Sequence, residues 1–332
     1  MNFSIIIPIY NRPDELNELL ESLVAQDYSE KFEVVIIEDG STIAAEHIVD
    51  NFANKLNIKY YLKYNSGPGD SRNFGMSLAT GDYFILFDSD CIIPKNYLSD
   101  LSKNLTDDYV DFYGSPDQAD ASFSDIQKAI NFAMTSFLTT GGIRGGSEKI
   151  NTFEPRSFNM GLSKKAFEAS KGFLNIHPGE DPELSMRLWK MGFKSRLITD
   201  VFVFHKRRID FKKFSLQVKK FGKARPILFL WHPEYVKWVY FLPALFVVGF
   251  FFSIVSLILL FDLFIKIYFL YFFTVFIVAS IQNKNILIGY CSVIAVWKQF
   301  FGYGLGFIKS YYKIHILKEN PETTFPELFF KV

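Results

Sequence analysis

Two aspartates separated by one residue, Asp88 and Asp90, form the pair of side chains in this 332-residue chain whose spacing most directly suggests chemistry. They follow the apolar run of residues 83–87, which predicts a buried strand. Two carboxylates at a strand end can hold a hard divalent cation, which is usually shared with substrate phosphates, or bond a ribose hydroxyl. The alternative is a solvated turn, because Asp-x-Asp occurs by chance in many chains.

Further polar residues follow other predicted strands. Asp39 ends the β-branched run of residues 32–37 in Glu38-Asp39-Gly40-Ser41, where it can pair with a nucleobase or ribose, or cap the next helix in a turn. Arg72, in the glycine-rich segment of residues 67–73, offers a cation to a diphosphate. A nicotinamide-cofactor fingerprint is excluded, because G-x-G-x-x-G would need glycine at position 72 and the segment follows the third strand instead of the first.

Alternating strands and helices must position these side chains. Apolar runs predict strands at residues 3–10, 32–37, 58–64, 83–87 and 197–204, and periodic segments predict helices from Pro13, over 44–56 and over 182–190 closed by Gly192. Residues 158–172 are periodic too, whereas the glycine-rich residues 141–146 predict a mobile loop within 110–155. This order predicts an α/β domain with a mainly parallel sheet, whose ligands bind beyond the carboxyl ends of the strands.

Five short motifs, taken in order and spacing, resemble family 2 glycosyltransferases over about residues 3–205. The resemblance implies a GT-A fold, a nucleotide-diphosphate-sugar donor, a Mn²⁺ or Mg²⁺ ion and inversion at the anomeric carbon. The motifs are Pro8-Ile9-Tyr10-Asn11, Glu38-Asp39-Gly40-Ser41, Arg72-Asn73, Gly81-Asp82-Tyr83 leading into Asp88-Ser89-Asp90, and Gly179-Glu180-Asp181.

The same resemblance implies roles for individual residues. Asp181 matches the catalytic base, although an aspartate before Pro182 is also a good helix N-cap. His205 matches a metal ligand of some relatives, or it is a histidine with no ligand role. The donor would contact Pro8, Tyr10, Asn11, Asp39, Arg72, Asp88 and Ser89, the metal would be held by Asp88, Asp90 and His205, and the acceptor would contact Arg156, Asn159 and Glu180.

Charge and hydropathy divide the chain into two regions. Of 36 basic and 35 acidic residues, residues 1–200 hold 19 and 29 (net −10) and residues 201–332 hold 17 and 6 (net +11). The basic region borders apolar runs too long for a soluble nucleic-acid binder, so it indicates contact with anionic lipids. Two distant cysteines, Cys91 and Cys291, exclude a disulfide framework and a cysteine-rich metal site.

Two uncharged or nearly uncharged segments, residues 239–261 and 263–281, are long enough to cross a bilayer of about 30 Å. A third, residues 286–308, is interrupted by Lys298, Gln299 and three glycines, and is expected to be an amphipathic or re-entrant segment in preference to a third span. The basic juxtamembrane segment of residues 206–230 would lie in the cytoplasm. Its Lys223 and Arg225 are expected nearest the headgroups.

We therefore expect a catalytic domain over residues 1–230 and a membrane region over 231–332, in a multi-pass cytoplasmic-membrane enzyme. The amino terminus shows no leader segment, so the catalytic domain is expected to face the cytoplasm. The donor is expected to be a nucleotide sugar, with UDP favoured, and the acceptor is expected to be a membrane-associated, lipid-linked glycan. No Q-x-x-R-W motif occurs, which argues against a processive synthase. Polyprenyl-phosphate sugar synthesis and a non-catalytic membrane scaffold are the alternatives.

Overall fold

A computed structural model of the protein describes residues 1–118, 123–141, 153–206 and 210–330. The chain forms two compact units. The α/β unit comprises Met1–Asp120, Ser147–His205 and Phe329–Val332, and the helical unit comprises Ala121–Gly146 and Lys206–Leu328. The chain thus leaves the α/β unit after His205, earlier than the predicted boundary at residue 230.

The first part of the α/β unit contains β1 (Phe3–Ile9), α1 (Pro13–Val24), β2 (Glu33–Asp39), α2 (Glu46–Asp50), β3 (Asn57–Lys63), α3 (Pro68–Leu78), β4 (Tyr83–Phe87), β5 (Cys91–Ile92), α4 (Tyr97–Asp107), β6 (Phe112–Gly114) and β7 (Asp117–Gln118). The helical unit then contributes α5 (Asp125–Thr135) and α6 (Phe137–Thr140). The α/β unit resumes with β8 (Asn159–Ser163), α7 (Lys164–Ser170), α8 (Glu180–Lys190), β9 (Ser195–Leu197) and β10 (Val203–His205).

The remaining helices belong to the helical unit. They are α9 (Phe211–Trp231), α10 (Leu242–Ile258), α11 (Leu263–Asn283), α12 (Ile286–Tyr311) and α13 (Pro321–Thr324). Short 3-10 turns cover Pro233–Tyr235, Trp238–Phe241 and Pro326–Leu328, and a π-helical turn covers Tyr312–Ile316.

A seven-stranded sheet in the order β3-β2-β1-β4-β8-β6-β9 organises the α/β unit. Strands β1 to β4 run parallel, and β8 runs antiparallel to both β4 and β6. A second sheet has the order β5-β10-β7. The prediction of a mainly parallel α/β sheet is confirmed, and its carboxyl edge is formed by the ends of β1, β2 and β4.

Side chains of the central strands enter two separate cores, one on each face of the sheet. Ile5 and Ile7 of β1 pack with Leu20 of α1, whereas Ile6 packs on the other face with Met76 of α3. Burial on both faces explains why β1 is apolar at almost every position instead of alternating. Each such buried side chain contributes about 1.5–3 kcal/mol of transfer free energy, so the sheet is a firm base for the loops at its edge.

Two predicted elements around the catalytic motif differ in the structure. The predicted single strand over residues 197–204 is wrong, because β9 pairs with β6 and β10 pairs with β5 and β7. The helix expected from Pro182 begins at Glu180, with Gly179 as N-cap at φ 132°. That backbone conformation favours glycine. Asp181 therefore lies in the first helical turn, where the helix dipole favours a negative charge, and it is not the cap.

Other element boundaries in the structure also differ from the predicted ones. The helix predicted over residues 44–56 is confined to the five residues of α2, followed by turns. The region of residues 110–155 contains β6, β7, α5 and α6, so it is not one irregular loop. Within the predicted mobile loop, Gly141 ends α6 in a left-handed conformation, and residues 142–146 lie outside the described residues.

Glycines bring the backbones of the helical unit close together. A Cβ at Gly222 of α9 would lie 2.1 Å from the carbonyl oxygen of Tyr303, and one at Gly306 of α12 would lie 2.5 Å from that of Lys219. Gly302 and Gly306 therefore allow α9 and α12 to pack closely, as small residues do between membrane helices. They do not interrupt α12, which is continuous over 26 residues.

Within the described residues, three helical segments are long and apolar enough to cross a membrane: Trp238–Ile258, Leu263–Asn283 and Ile286–Ile316. The first two correspond to the predicted spans. The third was expected to be amphipathic or re-entrant, and its length and composition match those of a third span. Large apolar side chains such as Leu260 and Phe269 are 94% and 74% exposed, which suits contact with lipid.

The basic residues at the end of α9 have partners within the protein. Lys223 pairs with Glu327 and lies over the ring of Phe325, while Arg225 is buried with its guanidinium 4.0 Å from the ring centroid of Tyr240. Both partners belong to the helical unit, and the expectation that these cations lie nearest the headgroups stays a prediction. Three other lysines of α9 are exposed, namely Lys212, Lys213 and Lys219.

We predict that Gly222→Ala and Gly306→Ala each destabilise the protein by about 1–3 kcal/mol, the usual cost of forcing an added methyl group into packed surroundings. Thermal unfolding in detergent measures the effect. Gly249→Ala is the matched control, since its Cβ meets only the movable Tyr268 hydroxyl, 2.7 Å away. An equal Tm loss in all three variants would contradict close backbone packing between α9 and α12.

Candidate active site

Loops at the carboxyl edge of the sheet are tied to one another by hydrogen bonds. Asn11, with φ 55°, donates its backbone N–H to the Ser41 hydroxyl at 2.7 Å, and its side-chain oxygen accepts from the N–H of Thr42 at 2.8 Å and of Ile43 at 3.0 Å. The loops after β1 and β2 are therefore joined through a single asparagine. Asn11 is predicted to contact the nucleotide-sugar donor, and in the structure it joins these two loops.

Asp39 anchors the loop before α3. Its carboxylate accepts from the N–H groups of Ser66 at 3.0 Å and Gly67 at 2.9 Å, and it pairs with Lys63 at 3.1 Å. The alternative role as a cap of the next helix is wrong, because Glu38 instead accepts the N–H of Ala45, at 2.9 Å. Asp39 thus holds the loop that borders the predicted nucleoside site.

Arg72 is a buried cation between the two acidic motifs. It is 2% exposed, donates from Nη2 to Asp88, and places Nη1 3.9 Å from Glu180. The ring of Phe173 lies 5.6 Å from its guanidinium carbon. Among the described residues, Arg72 Nε and Nη1 lack hydrogen-bond partners. A buried guanidinium with unused N–H groups is suited to an anionic ligand such as a diphosphate.

Asp90 and His205 meet although they are 115 positions apart in the chain. His205 of β10 pairs with Cys91 of β5 in the small sheet, and its Nε2 lies 3.1 Å from Asp90 Oδ1. The ring stacks on Phe158 at 4.6 Å, and Nδ1 lies 3.7 Å from Asp117, which can orient it. The ligand atoms of Asp90, Cys91 and His205 all lie within 4.8 Å of one another.

This pair fits a divalent cation. Two ligands at right angles, each about 2.0–2.2 Å from a metal, are roughly 3 Å apart, which matches the Asp90 to His205 distance. Cys91 is less suitable, because burial raises the pKa of its thiol well above the ordinary value and its Sγ lies 3.5 Å from the Phe158 carbonyl oxygen. Asp88, predicted as a further ligand, is bonded to Arg72.

Arg12 is a site residue that the motifs did not indicate. Its Nη1 lies 2.9 Å from Asp90 Oδ2 and 2.8 Å from Glu15. A signal existed, because Arg12 follows β1 and Asp90 follows the adjacent parallel strand β4, so both lie at the same edge. A cation at one strand end is favourably placed for an acid at the neighbouring end.

Glu180 and Asp181 have different electrostatic surroundings despite being neighbours. Burial would raise the pKa of Glu180, but His177, whose Nδ1 is 2.7 Å away, and Arg72 outweigh it, so that pKa is lowered. Burial, with the Glu180 charge adding to it, raises the pKa of Asp181 to about 6. Asp181 Oδ1 is buried without a hydrogen-bond partner among the described residues. A carboxylate that is ionised at neutral pH but has a pKa close to it is suited to general base catalysis.

The other residues that are predicted to contact the nucleotide-sugar donor differ in their solvent exposure. Pro8 lies inside β1 and is buried, whereas the Tyr10 side chain beyond it is 50% exposed and free to stack on a planar ring. Ser89 is buried between the two aspartates. Of these three residues, Tyr10 is therefore the one presented to a ligand.

Arg156 and Asn159, the two residues before α7 that are predicted to contact the sugar acceptor, lie in different surroundings. Arg156 is partly exposed and lies 3.8 Å from Glu154. Its charge offsets part of the rise in the pKa of Asp181 that burial and Glu180 cause. Asn159 is 0% exposed, donates to the Pro116 carbonyl at 3.1 Å and accepts from the Tyr97 hydroxyl. The structure thus encloses Asn159 within the fold and leaves Arg156 near Asp181.

Sequence comparisons relate the chain to known glycosyltransferases. The profile of glycosyl transferase family 2 matches residues 4–170. Poly(ribitol-phosphate) beta-N-acetylglucosaminyltransferase TarS of Staphylococcus aureus is 40% identical over 114 residues, which are 33% of this chain and 20% of that protein. Glycosyltransferase GlyG of Streptococcus pneumoniae is 25% identical over 214 residues, 62% of this chain and 70% of that protein. The matched segment thus spans a fifth of the staphylococcal relative.

Solved structures show the same fold. A mannosyltransferase from Pyrobaculum calidifontis, in complex with GDP-Man and Mn²⁺, matches with TM-score 0.55 at 18% identity, over 71% of this chain and 65% of that one. Residues 1–349 of S. aureus TarS with UDP-GlcNAc match with TM-score 0.51 at 24% identity, over 69% and 67%. The predicted GT-A fold is confirmed.

We predict that Asp181→Asn raises Tm by about 2–4 °C at pH 8, with the gain shrinking toward pH 4. The raised pKa means that the folded state favours the protonated acid, so above pH 6 the ionised form lowers stability, and the neutral amide removes that cost. Thermal melts across this range test it. Exposed Asp107→Asn controls for the loss of a carboxylate, and a pH-independent shift would contradict the prediction.

We also predict that Asp90→Ala and His205→Ala weaken Mn²⁺ binding by more than about tenfold, the loss caused by removing even a supporting residue of a metal site. Paramagnetic resonance of free Mn²⁺, titrated with protein and UDP, measures it. Asp111→Asn, a partly exposed aspartate outside the cluster, is the control. Unchanged affinity in the Asp90 variant would contradict the metal assignment.

Proposed function

This chain belongs to glycosyl transferase family 2, and from that premise we propose that it transfers a sugar from a nucleotide-diphosphate sugar to a hydroxyl group of a membrane-associated, lipid-linked glycan. The transfer inverts the anomeric carbon and serves the assembly of a cell-surface polysaccharide. Its catalytic unit is the α/β unit, and its catalytic face is cytoplasmic, because basic residues flank the first candidate span.

One observation supports this proposal above the others: the Asp181 carboxylate, whose Oδ1 is buried and whose pKa is raised to about 6, lies beside an ion-paired Glu180. A sugar hydroxyl is a poor nucleophile until its proton can move to a nearby base, and such a base works best with a pKa near the working pH. A phosphate acceptor is already anionic and would have no use for this carboxylate. The geometry therefore favours a hydroxyl acceptor over polyprenyl phosphate.

The donor would lie along the sheet edge. Tyr10 offers an exposed ring to the base, the Asp39 loop borders the nucleoside, and Arg72 offers unused N–H groups to the diphosphate. The staphylococcal relative is named as an N-acetylglucosaminyltransferase and its structure holds UDP-GlcNAc. UDP-GlcNAc is therefore the first donor to test.

Asp90 and His205 would hold Mn²⁺ or Mg²⁺, with Asp117 orienting the imidazole. When bound, the cation neutralises charge on the diphosphate leaving group. Arg12, which contacts the other oxygen of Asp90, would keep that carboxylate ionised and oriented toward His205. The Pyrobaculum structure contains Mn²⁺ with its donor, which makes Mn²⁺ the first cation to test.

The bond changes follow from these positions. As the acceptor oxygen forms its bond to the anomeric carbon, its proton moves to the Asp181 carboxylate, and the bond from that carbon to the diphosphate breaks on the opposite side. The diphosphate leaves with the electron pair. Arg72 would stabilise its negative charge from a buried position, where an ion pair is screened less than in water.

The helical unit would bring the enzyme to an acceptor at a membrane. Its three candidate spans expose apolar side chains, and the exposed lysines of α9 (Lys212, Lys213 and Lys219) can contact anionic headgroups or a lipid diphosphate. A lipid-linked glycan meets both conditions, because its lipid lies in the bilayer and its sugar hydroxyl reaches out of it.

We predict that Asp181→Asn lowers kcat by about 10²–10⁴-fold and leaves donor affinity nearly unchanged, because the amide keeps the shape and cannot accept the proton. The full chain in nanodiscs, with Mn²⁺ and a panel of UDP, GDP and dTDP sugars, provides the assay. Thermal stabilisation by each nucleotide sugar reports binding, since a ligand of the folded state raises its stability by RT ln(1 + [L]/Kd).

Three outcomes separate the alternatives. Loss of turnover with intact donor binding supports the hydroxyl acceptor. Near-normal turnover of Asp181→Asn with polyprenyl phosphate would instead identify a polyprenyl-phosphate sugar synthase. A wild-type chain that neither binds nor turns over any of these sugars would indicate a scaffold without catalysis. Asp107→Asn, a surface acid on α4, controls for the charge change.

A further inference from the structure

Phe330, near the far end of the sequence, contacts other parts of the α/β unit beside the active-site loops. The Asn175 side chain donates from Nδ2 to the carbonyl oxygen of Phe330 at 2.7 Å, and its Oδ1 accepts the N–H of Phe330 at 2.9 Å. One amide thus bonds both backbone groups of one residue. Asparagine suits this role because it presents a donor and an acceptor side by side.

The ring of Phe330 contacts two different loops. At Gly67, where φ is +93°, an added Cβ would lie 2.3 Å from Phe330 Cδ2, so the ring packs directly on this glycine. On the other side the ring centroid lies 6.0 Å from that of His177, at an interplanar angle of 47°. The ring therefore fills space between the loop before α3 and the loop before α8.

Each of these loops leads by one hydrogen bond to a predicted active-site carboxylate. The N–H of Gly67 donates to Asp39 at 2.9 Å, and His177 bonds Glu180 at 2.7 Å. Between the loops lies a small cleft of about 90 Å³. Its lining comprises Ser66, Gly69, Asp70, Asn73, residues 173–177 and Phe330.

We propose that Phe330, clasped by Asn175, is a positioning residue that holds the Asp39 loop and the Glu180-Asp181 loop at a fixed separation. The inference rests on the proposed function, because the two loops border the nucleotide and the acceptor of one transfer reaction. Phe330 acts through Gly67 and His177 and contacts no reacting atom. Its role is to keep the nucleotide-sugar donor and the Asp181 base at a fixed distance from each other.

The clasp matters because the stretch that it joins has no regular structure, and it adds to the bond from Arg187 to the Gly172 carbonyl oxygen and to the burial of Ile176. Residues 171–179 between α7 and α8 contain no helix or strand, and Leu174 is 46% exposed. In the described structure Asn73 anchors the near end, bonding Phe173 through its N–H at 2.8 Å and its carbonyl oxygen at 2.9 Å. Asn175 and Phe330 anchor the far end. A displacement of about 1 Å between reacting groups can reduce turnover about 10²-fold.

The first experiment is hydrogen exchange on the full chain without nucleotide. Phe330→Ala and Asn175→Asp, which keeps the acceptor oxygen and removes the donor, should both lose amide protection over residues 65–69 and 173–180. Tyr64→Ala and Asn96→Ala are the matched controls, since Tyr64 is 96% exposed and the Asn96 amide bonds only Asp100 among the described residues. Unchanged protection in Phe330→Ala would overturn the clasp.

The second experiment is steady-state kinetics on the same variants. Phe330→Ala and Asn175→Asp should each lower kcat by about 10–100-fold, with Phe330→Tyr restoring most of it and Tm changing by less than about 2 °C. The double variant should be no slower than Phe330→Ala, because both changes break one clasp. Additive losses, or wild-type kcat despite lost protection, would overturn the positioning role.

Together the two experiments distinguish failure of the proposed function from failure of the positioning role of Phe330. If the wild-type chain turns over no nucleotide sugar, the proposed function is contradicted, and the exchange data still decide whether Phe330 holds the two loops together. If the wild type is active, kinetics and exchange must both respond to the same substitutions for the proposal to stand.

Discussion

The acidic side chains at the edge of the sheet depend on two arginines that pair with them. Asp88, Asp90 and Glu180 would repel one another and would each resist burial without a positive partner. Arg72 supplies that partner for Asp88 and approaches Glu180, while Arg12 contacts Asp90. The guanidinium of Arg72 is costly to bury by itself, so cation and carboxylates stabilise each other only as a set.

Asp181 differs from these acids because its pKa is raised, and the cause lies in the start of α8. The helix begins at Glu180, so that both acidic side chains lie in the first turn of α8 and only one of them reaches His177. The other keeps a raised pKa because it is buried next to an ionised neighbour. Adjacent residues thus acquire the separate properties of an orienting anion and a proton acceptor.

The helical unit follows a different physical rule. Lipid-facing helices gain little from hiding apolar groups from one another, so close backbone contact through small residues becomes an important source of association. Gly222 and Gly306 provide that contact between α9 and α12. Gly302, Gly304 and Gly306 of α12 resemble a helix break when only their propensity is considered, which explains why the continuity of α12 was not predicted.

Local patterns predicted the parts of the fold whose cause is local. The apolar runs β1, β2 and β4 and the acids that follow them were identified, because burial on both faces leaves an uninterrupted hydrophobic signal. The short strands β9 and β10 were merged, since three-residue strands have no periodicity of their own and their pairing partners lie far away in the chain. The start of α8 moved because the conformation of Gly179 decides it.

The sequence by itself determined the fold class, the carboxylates of the motifs and the apolar segments of the helical unit, because each is written in neighbouring residues. Only the tertiary structure decided which cation meets which acid, that Asn159 is enclosed while Asp181 is a candidate base, and that Phe330 reaches the loops of the α/β unit. These outcomes depend on contacts between residues tens to hundreds of positions apart, and such contacts arise only when the sheet and its crossovers bring the chain together.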